Sequence, residues 1–309
     1  MAVEISEIQK HILEEVAGIH KVPEGAYNLR IDGKSAGRNS SANIDIIPKE
    51  NGKGIEIHIK PNTKNESVHI PVVLSQAGLK EVVYNDFYIG ENSDVTIVAG
   101  CGIHNCGNQD SQHDGIHTFY VGKNAKIKYI EKHYGEGDGT GGRILNPVTE
   151  FHLEENSYVE MDSVQIKGVD STKRLTKADL KDGATIIVKE KLMTHGEQYA
   201  ETEFQVDMNG ENTSANVISR SVAKDQSKQI FLSKINGNNQ CAGHSECDAI
   251  IMGNASVSAI PEITANHVDA SLIHEAAIGK IAGDQLTKLM TLGLAEAEAE
   301  EQIVNGFLK

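Results

Sequence analysis

Apolar and polar positions change their period twice along this chain of 309 residues. Over residues 4–18, Ile5, Ile8, Ile12, Leu13 and Val16 recur at the three- and four-residue spacing of one helix face, and Gly18 supplies a terminator. From about Ile44 the period becomes two. "GIEIHI" (54–59) and "KIKYIEKHY" (126–134) alternate apolar with polar residues between Gly, Asn and Asp punctuation, which predicts short strands joined by tight turns. Near residue 280 helical spacing returns. Gly283-Asp284 offers a cap, Leu286, Leu289 and Met290 an apolar face, Gly293 a break, and "LAEAEAEEQIVNGF" (294–307) a second helix. Glu296, Glu298, Glu300 and Glu301 of that helix read as a solvated face.

The strand region repeats. A turn containing Asn or Gly precedes a β-branched or small residue in six places, aligned on Asn92, Asn124, Asn156, Gly183, Asn212 and Asn254, with steps of 32, 32, 27, 29 and 42 residues. Recurrence near a fixed interval marks a solenoid, in which each unit buries its apolar face on the next. With no helical pattern between the strands, a β-helix or related solenoid is expected rather than βαβ units, an irregular β-sandwich being the alternative on the repeat alone. The expected organisation is an N-terminal helical segment (1–43), a β core (44–278) and a C-terminal helical segment (279–309) that caps the solenoid or docks a partner.

Composition narrows the function. At 39% hydrophobic and 24% charged residues the chain is not mainly disordered. No apolar run approaches the roughly 18 residues of a membrane span, and the acidic, amphipathic N-terminus is unlike a signal peptide, so a cytoplasmic protein is expected. A net charge of −15 without any dense Lys/Arg cluster repels phosphate backbones and anionic lipids, which sets aside nucleic acid and membrane as partners. Aromatic residues make up 5% and Trp is absent, which suits a core of Val, Ile and Ala on sheets better than a large aromatic-lined pocket.

The four cysteines form two tight pairs, each beside histidine, and in a cytoplasmic chain they are thiols for metal or redox work rather than a disulfide framework. "CGIHNCGNQDSQHDGIH" (101–117) holds Cys101, His104, Cys106, His113 and His117, ligand types that zinc and iron favour. The spacing is not that of a zinc finger, and a polar, Gly-rich turn region with structural hydrogen bonds remains the other reading. "QCAGHSECDAI" (240–250) places Cys241, His244 and Cys247 just before an apolar strand, where Cys is also common as a small buried hydrophobe. One coil further on, "ASLIHEAAIG" (270–279) carries His274-Glu275. It is not a zinc-protease motif, since His-Glu-x-x-His needs a histidine where Ile278 stands, and a buried His274 held by a carbonyl is the plain alternative. "GDGTGG" (137–142) satisfies Gly-x-Gly-x-x-Gly, but 143–153, with Pro147, does not open a helix, so it reads as a turn. P-loop and Gly-x-Ser-x-Gly motifs are absent.

Residues 240–309 resemble the C-terminal signature of the SUF-system iron–sulfur assembly scaffolds, the SufB/SufD family. The matching elements are Cys247-Asp248 before an aliphatic strand, Ala259-Ile-Pro-Glu262, His274-Glu275 followed by Ile278-Gly279, Gly283-Asp284-Gln285-Leu286, Leu292-Gly293-Leu294 and Ile303-Val-Asn-Gly-Phe307. "SAGRNS" (35–40) and the turn near Gly137 resemble the family more loosely. The resemblance implies a right-handed parallel β-helix flanked by helical segments, dimers formed through the core, and docking of an ABC-type ATPase, SufC, on the C-terminal helices. It implies a scaffold rather than an enzyme, building a transient iron–sulfur cluster from a sulfur donor protein and passing it to apo-protein acceptors. Residue by residue, Cys247 matches the B-type scaffold cysteine at the dimer interface, and His274 and Glu275 the positions facing it. D-type members usually lack the Cys and carry Gly after the His, so this chain is B-like, and a homodimer or a heterodimer with a SufD-like chain is expected. A thiolate that holds iron and sulfide, with harder ligands that let go, suits a donor of clusters. Cys241, His244, Cys101, Cys106 and His104 are further candidate ligands. The chain is shorter than the bacterial B-type and lacks its Cys-bearing N-terminal region, which leaves open where sulfur arrives. The competing expectation is a β-solenoid zinc metalloenzyme whose Cys/His site activates water, against which stands the absence of a hydrolytic triad or paired-carboxylate motif.

Overall fold

A computed structural model describes residues 5–20, 23 and 25–309. Its architecture follows from turns that only a few residue types tolerate. Asn62, Asn92, Asn124, Asn156, Gly183 and Asn212 all adopt left-handed φ values between 56° and 67°, a region open to Gly and, among other residues, chiefly to Asn and Asp. They stack in one ladder, each backbone N–H donating to a carbonyl of the next coil at 2.8–3.0 Å. Gly196, Asp225 and Gly253 form a second left-handed ladder at the other edge. Asn254, aligned by sequence with the first ladder, follows Gly253 in the second. The outsized step of 42 residues is therefore one coil plus half of another, because each coil turns twice.

The coils add strands to two sheets in turn, one coil giving its share of the second sheet as two short strands, Arg143–Leu145 and Val148–Leu153. The first runs from the hairpin Ala26–Ile31/Lys34–Asn39 to the strand Ala270–Gly279, and the second from the hairpin Ile44–Pro48/Gly54–Ile59 to the strand Ser256–Ala265. Beyond those two antiparallel hairpins the pairing is parallel. The result is a mainly β protein, a β-solenoid of about eight turns, as the repeat predicts. Strands Ala26–Ile31 and Lys34–Asn39 lie inside the segment 1–43 read as helical, so sheet pairing begins before residue 44.

Alternate side chains point between the sheets and stack on the same position of the next coil. Phe87, Phe119 and Phe151 form such a column, with centroids 4.2 and 4.7 Å apart. Helix α1 (Glu7–Ala17) starts at a capping box of Ser6 and Gln9 and stops at left-handed Gly18; Glu4, with which the expected helix begins, lies outside the described residues. Its Ile12, Leu13 and Val16 seat against Gly100 and Gly102, where a Cβ on Gly102 would come within 2.1 Å of Ile12. Helices α2 (Gly283–Thr291) and α3 (Glu296–Phe307) follow the last strand, and α3 fixes Val304 and Leu308 against Val222.

Candidate functional site

The strands Cys241–Ile251 and Ala270–Gly279 lie side by side, with Ser245 opposite His274, Glu246 opposite Glu275 and Cys247 opposite Ala276. Strand alternation then sorts the candidates. Cys241, Ser245 and Cys247 point inward, and His274 lies on that side. His244, Glu246 and Glu275 share the outer face. Cys247 is 1% exposed, and burial, then Glu190 and Asp248, push its thiol up to about 12. Burial likewise raises the Cys241 thiol. His274 has its pKa lowered by burial and then by His244, and its buried Nδ1 has no hydrogen-bond partner, so a neutral imidazole sits here with an unused ring nitrogen.

On the outer face, Asn216 Oδ1 accepts a hydrogen bond from His244 Nδ1 at 3.1 Å, which turns His244 Nε2 toward Glu275 Oε2, 3.5 Å away. One donor atom each from His244, Glu246 and Glu275 lies within 4.8 Å of the others. An imidazole steered by an amide, with two carboxylates, suits a borderline divalent cation such as ferrous iron. The structure thus gathers His244 with Glu275, and Cys247 with His274, on opposite faces of one strand pair.

The cysteines of 101–117 also separate. Cys101 points inward, and His113 has its Nδ1 3.1 Å from Glu81 Oε1; Arg30 Nε holds the other oxygen of Glu81 at 2.8 Å. Burial would lower the His113 pKa, but the Cys101 sulfur and the Glu81 carboxylate outweigh it and raise it to about 10. Cys106 is exposed, with Sγ 3.0 Å from His104 Nε2, and His104 Nδ1 is 3.2 Å from Glu136 Oε1. The glycines of "GDGTGG" serve neither a helix nor a nucleotide. Cβ atoms on Gly137, Gly139 and Gly141 would fall 2.2–2.3 Å from the carbonyl oxygens of Asn105, Gly107 and Gln109, so the spacing of two lets loop 137–141 lie directly on loop 105–109. A strand, Arg143–Leu145, follows.

Sequence reasoning missed a charged column inside the solenoid. Glu131, Ser163, Glu190, Ser219 and Cys247 occupy one inward row on successive strands. Arg174 from the facing sheet hydrogen-bonds Glu131 and lies 3.9 Å from Glu190. Ser219 Oγ donates to Glu190 at 2.7 Å. Tyr129 Oη donates to Glu131 at 3.1 Å and takes the His117 Nδ1 proton at 2.8 Å. Burial alone would raise the Glu131 pKa, but Arg174, then His133 and His117, hold it at about 2. The parity of "KIKYIEKHY" carried the signal, since Glu131 and His133 share the face of Ile127 and Tyr129.

The chain is a parallel β-solenoid with thiol, imidazole and carboxylate side chains on its last coils. The family model described as SUF system FeS cluster assembly, SufBD core domain, matches residues 79–307, and the chain belongs to that family. Its relatives include iron–sulfur cluster assembly SufBD family proteins of Methanocaldococcus jannaschii (29% identical over 243 residues, 78% of this chain and 76% of that one) and Pyrococcus horikoshii (29% over 281 residues, 89% and 84%). A third, from Archaeoglobus fulgidus, is 31% identical over 232 residues, 74% of this chain and 61% of that protein. Among the described residues no helix is long and apolar enough to cross a membrane.

Proposed function

We propose that this chain is the scaffold on which the SUF machinery builds a nascent iron–sulfur cluster and from which the cluster passes to apo-proteins. The observation that carries this reading is the asymmetry of the solenoid. The C-terminal coil leaves two ten-residue strands with open edges, and there Cys247, His274 with its unpartnered Nδ1, His244 and Glu275 come within one strand pair of each other. Cys247 is the soft anchor, and His274 and Glu275, with His244, are the harder ligands that release the cargo.

Two physical facts set how such a scaffold works. Cys247 is sealed and protonated in the single chain, and metal binding requires the thiolate, so iron has to displace its proton. Cys247 and Glu275 also face opposite ways, so one cluster reaches both when the last strand shifts or a second copy joins. Dimerisation through the open coil and movement driven by the ABC-type ATPase SufC supply those changes, in a homodimer or beside a SufD-like chain. On this reading the chain is moved by an enzyme and is not itself one.

The test is anaerobic reconstitution with iron and sulfide of the wild type and Cys247→Ser, followed by visible absorbance and iron counting. The wild type should hold a cluster, and the variant should lose it or its transfer. Equal loading of both would move the ligands toward Cys101 and Cys106 and sink the assignment of the C-terminal coil.

A further inference from the structure

The fold gathers a set of cations that no stretch of the sequence shows. On the outer face of the first sheet, the strands Lys126–Glu136, Tyr158–Lys167, Thr185–Thr194 and Thr213–Ala223 pair so that Lys132, Val164, Lys191 and Arg220 stand in one row. The row beside it holds Ile130, Asp162, Lys189 and Ile218. Helices bound this strip on both sides. Gly100, next to Lys132 in the row, lies under Val16 of α1, and α3 sits on Val222 with Lys309 reaching the strip. The groove left between them has a volume of about 530 Å³.

The charges along the groove are of two kinds. Lys189 Nζ lies 2.7 Å from Glu160 Oε1 and Lys128 Nζ 3.5 Å from Asp162 Oδ2, so both outward carboxylates are taken. Among the described residues Lys132, Lys191 and Arg220 pair with no side-chain carboxylate. Lys191 Nζ donates instead to the Lys309 carbonyl oxygen at 2.5 Å, and Asp248, opposite Arg220 on the next strand, forms no ion pair with it. Lys191 and Arg220 also stand directly opposite each other, and like charges so placed repel. A chain with 44 acidic and 29 basic residues had carboxylates in excess to quench them. An anion from outside the chain relieves the repulsion.

The groove also selects the kind of anion. Its strands have hydrogen-bonded neighbours on both sides, so no backbone group is free to receive an acidic peptide as an added strand. Three cations beside paired carboxylates are too few for the backbone of a nucleic acid. An arginine fork and an ammonium on adjacent strands, about 4.8 Å apart, suit one phosphate. Lys132 stands two strands from Lys191, roughly 10 Å along the row, where a second phosphate would lie. Ile130, Val164 and Ile218 make an apolar floor. We propose that this groove binds a small molecule of the nucleoside diphosphate class, with Lys191 and Arg220 on one phosphate, Lys132 on the other and the apolar floor under its body. The site uses none of the thiol, imidazole or carboxylate donors of the last coils, so it stands apart from the scaffold reading.

The experiment titrates the full chain, without iron, with ADP, pyrophosphate and inorganic phosphate by isothermal titration calorimetry at low salt. ADP should fill one site, more tightly than pyrophosphate, which in turn should exceed phosphate, and added salt should weaken all three. Lys191→Gln and Arg220→Gln should each weaken ADP binding by about tenfold, the loss of one charge-assisted hydrogen bond. Lys128→Gln removes a lysine of the same face whose charge Asp162 already meets, and it should bind ADP nearly as the wild type does. No heat of ADP binding, an equal loss in Lys128→Gln, or an Arg220→Gln chain that binds like the wild type would overturn the site. ADP held no more tightly than pyrophosphate would overturn the nucleotide class. No cluster forms in this assay, so its result is independent of whether the scaffold reading holds.

Discussion

Glu131 shows how a single buried charge shapes this solenoid. Burial would raise its pKa, but Arg174 outweighs that cost and holds it at about 2, so its stabilisation is complete above the ordinary carboxyl value of 4.5 and is lost as pH falls toward 2. His117 and His133 are lowered by burial to about 4. The unfolded chain protonates these imidazoles from about pH 6.5 downward while the folded chain does not, so acid erodes stability first through them and then through Glu131. The thermal midpoint should fall steadily from pH 7 to pH 4. Glu131→Gln should cost about 3–5 kcal/mol at pH 7, since Arg174 is left with only the more distant Glu190, and should flatten the profile below pH 4.5. A midpoint that ignores both pH and the substitution would refute the charged column as a structural element. Parity made this column legible in the sequence, given the strand. The same rule forbids His274 and Glu275, adjacent on one strand, from facing the same partner residue, and what the sequence lacked was the register that sets Cys247 against Ala276.

At the scale of elements, alternation and turn residues pointed to a solenoid while leaving a β-sandwich open, and the structure decides for the solenoid because each Asn or Gly in the first ladder takes a left-handed φ. The half-coil slip at Asn254 was not legible, since both ladders use the same residue types and only strand pairing tells them apart. The C-terminal helices show a similar limit. Their apolar positions were readable, but which of them stay free depended on packing: Leu286 and Leu289 are half-buried, whereas Leu292 is 76% exposed between α2 and α3. Exposure of a large apolar side chain beside half-buried leucines supports α2–α3 as the docking face for the ATPase. Leu292→Glu, which removes no internal contact of weight, should reduce co-purification with the ATPase by at least about tenfold, the scale of losing one buried apolar anchor. Undiminished co-purification would place the ATPase elsewhere.

At the scale of the whole molecule the two ends of the solenoid are treated differently. The N-terminal end is closed by antiparallel hairpins, one of them finishing in a five-residue strand with Pro48, and α1 covers the neighbouring sheet face. These are ordinary defences against edge-to-edge pairing. At the C-terminal end the edge strand Ser256–Ala265 carries Pro261 and Glu262, but no hairpin or shortened strand closes either sheet. The edge strands Ser256–Ala265 and Ala270–Gly279 expose Ile260 and Ile273 at 51% and 52%, and Val268 in the turn between them at 92%. Two long unpaired edges with apolar side chains fit a second chain of the same kind better than water, which supports a dimer formed coil to coil over the donor residues. A charge of −15 on each copy opposes that contact, so association should strengthen as salt screens it. Light scattering should therefore give twice the chain mass at moderate salt, and Ile260→Lys with Ile273→Lys should return it to the monomer without changing the circular dichroism of the fold. Both side chains are about half solvated already, so a loss of dimer with an intact fold isolates the interface. A wild type that stays monomeric at every ionic strength would remove the homodimer and leave pairing with a SufD-like chain as the way to cover these edges.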